Sequence, residues 1–500
     1  MAGSQSFTVA PFTPENFFKA LVEYPCTEHD AAQGHSCTYL VDYLKEIGST
    51  TIVTELVYVD ADYLDDYANF YAKSFEKIPN RCRRLHFFKT EIKDDSEFLQ
   101  FVRAERDAKE LQDNYLGFIV ARPLPTPAVI GRTALATYPP DNGRRNYPTL
   151  RPYHVHLFGV DLTINSLAFQ VQDTSLAACA TVALWSCFQK TQDIFKSPAP
   201  TPVAITRSAN RYNFSARPFP SRFLQIQQIC YAITAIGLDP EVYTVNPALP
   251  LASLIYSYLQ LGLPVLLIVD IPGAGGHAIA LTGYSLKETE QLTSEGGGVG
   301  ANLPKMIGSR INEFYGHDDQ KGCFARLRME APSTPTGNIM FKDTGWGVDL
   351  IPLAVVVPIY PKIRTGFREV IKYLPQISVL AAGGGANPTQ FEWDVFLTSG
   401  NEFKKVLRND QLYTNHARRE SLLIEGFPKY VWRCILRVDK KPFVEMLLDT
   451  TAMVHGFAVC HILWHETGAQ AAIRQFLQAH EALLAVLLGP KLIEAVKKSL

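Results

Sequence analysis

The sequence predicts a multidomain α/β (α+β) protein. Its 500 residues exceed what one ordinary core holds. Hydrophobic residues make up 47% and charged residues 19%, which argues for filled cores and against disorder. Segments with apolar residues at helical spacing alternate with short β-branched and aromatic runs, so both element types are expected throughout. The formal net charge is −1. That balance leaves no electrostatic footprint for nucleic acid and no attraction to an anionic membrane.

In chain order, residues 1–150 read as an N-terminal α/β region. Helical spacing covers 17–24 and 37–47, and 51–58 (TIVTELVY) has strand composition. A tyrosine-rich helix is expected over 61–75, then a strand at 84–88, a polar helix over 96–111 and a strand at 115–121 (YLGFIVA) ended by Pro123 and Pro125. The turn-forming stretch 137–152 marks the first boundary. The middle region, 151–365, contains a proline-punctuated loop at 197–220 and a glycine loop at 295–300 between two strands. A C-terminal α/β region, 366–500, follows Pro358 and Pro361. Its candidate strands are 431–438 and 443–448, which are candidates to extend the middle sheet, and it ends in amphipathic helices over 468–488 and 490–500.

Residues 242–269 contain no charged side chain, a length that can span a bilayer. Pro247, Pro250 and the Gly262-Leu263-Pro264 break divide the stretch, and no basic cluster flanks it, so a helix at 251–261 followed by a buried strand at 264–269 is the simpler reading. The nine cysteines are odd in number and irregularly spaced, as for reduced thiols. The N-terminal residues show no basic stretch leading into an apolar one. A cytoplasmic protein is expected.

The middle region holds the chemistry. Cys179 stands near the start of a helix, with Asp173, Thr174 and Ser175 as competent N-caps and Ala177, Ala178, Ala180 and Ala183 permitting close packing. The positive end of a helix dipole favours a thiolate there. His277 follows Gly275 and Gly276 and precedes an apolar run, which puts its imidazole at the mouth of a sheet. The next strand, 311–315, runs into His317-Asp318-Asp319. In an antiparallel pair the start of one strand lies beside the end of its partner, so His277 and Asp318 become neighbours. A carboxylate there fixes the imidazole tautomer while the imidazole activates the thiol. Gln172 can offer its amide, with the Cys179 N–H, to an oxyanion. Taken singly, each motif has a plain structural reading: a core thiol, a turn histidine, a turn aspartate. Their order is what distinguishes them.

That order of Gln, Cys opening a helix, Gly-His on a strand and Asp in the following turn resembles the papain-like cysteine peptidases, closest to the peptidase C39-like branch. The resemblance spans residues 165–360. It implies a papain-like core in which Cys179 is the nucleophile, His277 the base, Asp318 the orienting residue and Gln172 the oxyanion-hole residue. Asp343, in a turn similar to the Asn-Ser-Trp-Gly turn of papain, and Asp319 are the alternative orienting residues. Ala180 stands where that branch commonly carries glycine.

The implied activity is hydrolysis of a peptide or isopeptide bond in a protein or peptide substrate, through a thioester and with no metal or organic cofactor. An amidase or transglutaminase-like acyltransferase on the same fold is one alternative, and a non-catalytic papain-like binding module is another. The flanking regions are expected to select the substrate or to hold the cysteine inactive. A third reading makes residues 1–150 a partner-binding module facing outward through Tyr63, Tyr67 and Tyr71. Two further clusters have metal-ligand chemistry. Cys26, His29, His35 and Cys37, with Cys82 and His86 further on, lack the spacing of a common zinc module. His461 and His465, with His455 nearby, lack the glutamate that a zincin helix needs after its first histidine.

Overall fold

The computed structural model describes residues 6–500 apart from 23–33, 76, 125–127, 174, 213–218, 220–222, 290, 294, 296–303, 331–339, 344–346, 410–415 and 454–455. The N-terminal strands form a five-stranded antiparallel sheet in chain order: β1 (Phe7–Pro11), β2 (Thr51–Tyr58), β3 (Cys82–Phe88), β4 (Tyr115–Ala121) and β5 (Ile130–Leu135). Side chains alternate across a strand, so each face buries its own set. Ile52, Leu85, Phe87 and Ile119 join Phe17 and Leu21 of α1 (Pro14–Val22) and Leu40 and Leu44 of α2 (His35–Glu46). Val53, Phe88, Phe118 and Val120 join the opposite core, on the side of α3 (Ala61–Asn69), α4 (Asp95–Val102) and α5 (Ala108–Asp113).

Two expected helices are shorter than their sequence pattern. The tyrosine-rich one stops at Asn69, because Phe70 leaves helical geometry (φ −137°) and Tyr71–Lys73 form a single 3₁₀ turn. The polar helix over 96–111 is two helices. Ala104 takes the left-handed region (φ 58°), and Asp107 then caps α5 by accepting the Lys109 N–H. Chain order continues with β6 (Arg145–Asn146) and a hairpin of β7 (Arg151–Leu157) and β8 (Val160–Ser166). Phe158 and Gly159 both have positive φ, as a two-residue type I′ turn requires. The hairpin buries Val155, Leu157, Leu162 and Ile164 and leans on β4 and β5.

The middle region comprises α6 (Cys179–Phe195), α7 (Pro202–Ala209), α8 (Ile226–Ala235), β9 (Asp239–Thr244), α9 (Leu251–Leu259), β10 (Val265–Ile271), β11 (Gly275–Leu286), β12 (Ile311–Asp318), β13 (Gly322–Glu330), β14 (Met340–Asp343) and β15 (Asp349–Ile359). Strands β10 to β15 pair antiparallel in sequence, and β15 also pairs with β10, which closes the sheet on itself. α6 packs across β10, β11 and β12. The uncharged stretch 242–269 is thus the end of β9, then α9 and β10. Among the described residues no helix is long and apolar enough to cross a membrane.

The C-terminal region comprises α10 (Phe367–Val370), α11 (Tyr373–Gly383), β16 (Phe391–Ser399), α12 (Gly400–Asn409), α13 (His416–Ile424), β17 (Tyr430–Val438), β18 (Lys441–Asp449), β19 (Val459–Trp464), α14 (Thr467–Leu488) and α15 (Pro490–Ser499). Strands β16 to β19 make their own four-stranded antiparallel sheet. The candidate strands 431–438 and 443–448 therefore pair with each other and not with the middle sheet. α9 joins the two regions: Ser257 Oγ donates to the Val395 carbonyl (2.6 Å) and Tyr256 to Asp394 (3.0 Å).

Two buried histidines contribute an acid-sensitive part to the stability of the fold. His86 is enclosed between Glu55 (3.2 Å) and Tyr115 (2.9 Å), and burial, helped by Arg84 against Glu55, pushes its pKa down to about 4. Burial pushes His317 down to about 3. A depressed histidine pKa contributes stability that is complete above the unfolded value of ~6.5 and is lost as pH falls through the folded one. His86 and His317 therefore work to lower the urea midpoint between pH 6.5 and 4, while buried Asp319, its pKa raised to about 7, works the other way. For His86 alone this window represents roughly 3 kcal/mol, and His86→Gln should flatten that part of the profile. An unchanged slope in the variant would contradict the assignment.

Candidate active site

α6 begins at Cys179 itself, later than the expected caps imply. Asp173 folds the approach to the helix instead of capping it. Its Oδ1 accepts the N–H groups of Ser175 (3.1 Å), Leu176 (2.7 Å) and Ala177 (2.9 Å). With those amides engaged, the cap position falls to Ala178, whose N–H donates to Thr181 Oγ1 at 3.4 Å. Thr174 lies outside the described residues. As the first helical residue, Cys179 has an N–H with no acceptor inside the helix, and its thiol sits at the positive end of a 17-residue dipole. Cys179 is half-buried, while Cys187 on the same helix is fully buried with its thiol pushed up to about 12 by desolvation.

His277 lies in β11 opposite Val269 of β10, just past the end of the β11–β12 ladder, whose pairing starts at Ala280 and His317. The juxtaposition expected from antiparallel pairing is present: His277 Nε2 is 2.9 Å from Asp318 Oδ1. Asp318 also accepts the Gln320 N–H at 3.0 Å, which fixes its rotamer. Burial works against charge on both groups, yet each is moved toward its ionised form. The His277 pKa is raised well above the usual value because Asp318, the Cys179 thiol and Asp319 outweigh desolvation. The Asp318 pKa is lowered because His277, the Gln320 amide and Lys321 outweigh its own. With Nε2 committed to Asp318, the buried Nδ1 is the ring nitrogen that remains for the Cys179 thiol.

The other candidates divide. Asp343 is buried and forms an ion pair with Lys321. Asp319 reaches within 3.7 Å of His277 Nε2. Gln172 is half-buried on the approach to α6. Gln170, which is not among the expected site residues, is 4% exposed and its amide nitrogen has no partner; its place two residues before Gln172 is the signal for it in the sequence. Of the metal-type clusters, Cys26, His29 and His455 lie outside the described residues. His35 and Cys37 open α2, Cys82 and His86 lie on β3, and His461 lies on strand β19 with His465 just past its end, where no zincin helix exists.

The N-terminal region supports both halves of the site. Tyr71 donates to Asp173 Oδ2 (2.5 Å), and α3 meets α6 and α7 through Asp62 with the Trp185 indole (2.8 Å), Asp65 with Thr201 (2.5 Å) and Asp66 with the Val203 N–H (3.1 Å). From α2, Ser36 donates to the Gln320 carbonyl (3.1 Å) and Tyr39 to that of Cys323 (2.8 Å), bracing the turn that carries Asp318 and Asp319. Tyr63 and Tyr71 of the tyrosine stripe are buried rather than facing outward. No protein-family model matches the chain, and no curated protein matches it either.

Proposed function

We propose that the chain is a thiol-dependent hydrolase of peptide or isopeptide bonds, with a papain-like core. The observation that carries this reading is the His277–Asp318 pair at 2.9 Å with a helix-opening cysteine beside the same ring. His277 Nδ1 takes the thiol proton and the Cys179 sulfur attacks the carbonyl carbon. The carbon–nitrogen bond breaks as His277 returns the proton to the leaving amine, which leaves a thioester. Water, deprotonated by His277, then attacks that carbonyl, releasing the acid and restoring the thiol. Asp318 keeps the ring oriented and stabilises its cation. The Cys179 N–H, with the amide of Gln172 or Gln170, is the oxyanion donor set. The eight described cysteines are all free thiols, which supports a reducing compartment such as the cytoplasm.

The test is turnover of a fluorogenic peptide and isopeptide library by full-length protein. Cleavage abolished in Cys179→Ala but retained in Cys187→Ala is the expected result. No turnover by the wild type, together with Cys179 labelling no faster than Cys187, would leave only a binding scaffold. Analysis of products with an added amine separates hydrolysis from acyl transfer to nitrogen.

A further inference from the structure

Asp319 is the residue that the acyl-transfer reading leaves unused. Its side chain is 1% exposed, and neither carboxylate oxygen receives a hydrogen bond from another residue. A buried carboxylate without donors is costly, and such a group calls for a proton or a cation to complete it. Lys321, the nearby lysine, is paired with Asp343. The geometry around Asp319 is that of a ligand set. His277 Nε2 lies 2.9 Å from Asp318 Oδ1 and 3.7 Å from Asp319 Oδ1, and the donor atoms of the three residues all fall within 4.8 Å of one another. Ligands held at ~2.0–2.1 Å around a tetrahedral zinc stand ~3.3 Å apart, a spacing that the two observed distances bracket. One imidazole and two carboxylates suit a divalent first-row ion, with a fourth position left for water.

We propose that His277, Asp318 and Asp319 bind one divalent transition-metal ion of the zinc class, and that the bound ion switches off the Cys179–His277 pair. Binding consumes the Nε2 lone pair and releases that nitrogen's proton to solvent. The neutral ring then keeps its remaining proton on Nδ1, so it cannot accept one from the thiol. The same carboxylate that orients the ring for catalysis becomes a metal ligand, so occupancy and activity exclude each other. The binding itself is independent of the hydrolase reading; only its consequence rests on that reading.

The test uses full-length Cys179→Ala, which removes the thiol as an adventitious ligand, titrated with Co2+ for visible ligand-field bands and with Zn2+ by equilibrium dialysis. One ion per chain is expected, with affinity falling about 100-fold when Asp319→Asn is added, since removal of one of three protein ligands exceeds typical outer-shell effects. A folded Cys179→Ala chain that binds no Co2+ overturns the proposal whether or not the Asp319 variant folds. Binding that is unchanged in a folded Cys179→Ala, Asp319→Asn chain overturns it as well. In the wild type, Zn2+ is expected to slow iodoacetamide labelling of Cys179, with recovery on chelation and with loss of the effect in Asp319→Asn. Failure of the hydrolase reading would show as absent turnover with these metal readouts intact.

Discussion

His277→Ala is expected to slow iodoacetamide alkylation of Cys179 at pH 7 by about 10²-fold or more and to leave Cys187 unchanged. The thiolate is the reacting species, and the ring proposed to take its proton is the one Asp318 holds at 2.9 Å. Cys187 is the internal reference, because burial already pushes its thiol up to about 12. On a cleavable substrate the same substitution should lower kcat/KM by about 10³-fold or more, as loss of a triad member does elsewhere. Asp318→Asn should cost less in alkylation than His277→Ala, because the ring remains and only its orientation and charge support are weakened. Equal labelling rates in wild type and His277→Ala would remove the basis for a reacting pair.

Asp173→Ala is the second large effect, this time on folding. The carboxylate accepts three backbone N–H groups with one oxygen and the Tyr71 hydroxyl with the other, all in a buried setting. Deleting it leaves four donors without their acceptor. Charged hydrogen bonds of this kind bring a loss of about 3–5 kcal/mol when one partner is removed. Urea unfolding should report that loss. Tyr71→Phe, which deletes a single donor, should cost about 1–2 kcal/mol. Both variants should also disturb Cys179 labelling, since the segment they tie down leads directly into α6. A loss below 1 kcal/mol in Asp173→Ala would mean that the approach to α6 holds its shape without the carboxylate.

Much of this was legible in the residues. The strands at 51–58 and 115–121 have the observed bounds of β2 and β4, because β-branched and aromatic runs ended by turn formers leave little choice. The neighbourhood of His277 and Asp318 followed from strand polarity alone. β5 and the hairpin β7–β8 were missed. Glycine, arginine and threonine within 130–135, and Pro152 with two histidines in β7, mask strands that owe their burial to packing, β5 on β4 and the hairpin through β8 on both, rather than to composition. The role of Asp173 was misread as a cap, since a side chain that can cap a helix can equally fold the turn before it. Asp319 was ranked only as an alternative to Asp318. Its lack of a hydrogen-bond donor from another residue is a property of the folded surroundings, which no local pattern encodes.

The braces from α2 and α3 have a thermodynamic corollary. Tyr71 reaches the cysteine side of the site and Ser36 and Tyr39 reach the aspartate side, so both reacting halves rest on one sheet domain. On the proposed mechanism, displacing α3 or α2 is expected to change the proton exchange between Cys179 and His277. By reciprocity of linked equilibria, a molecule seated on the thiol is then expected to shift the stability of those helices by the same factor. Amide hydrogen exchange in α3 is therefore expected to change on covalent modification of Cys179, with no contact between the modifying group and the helix.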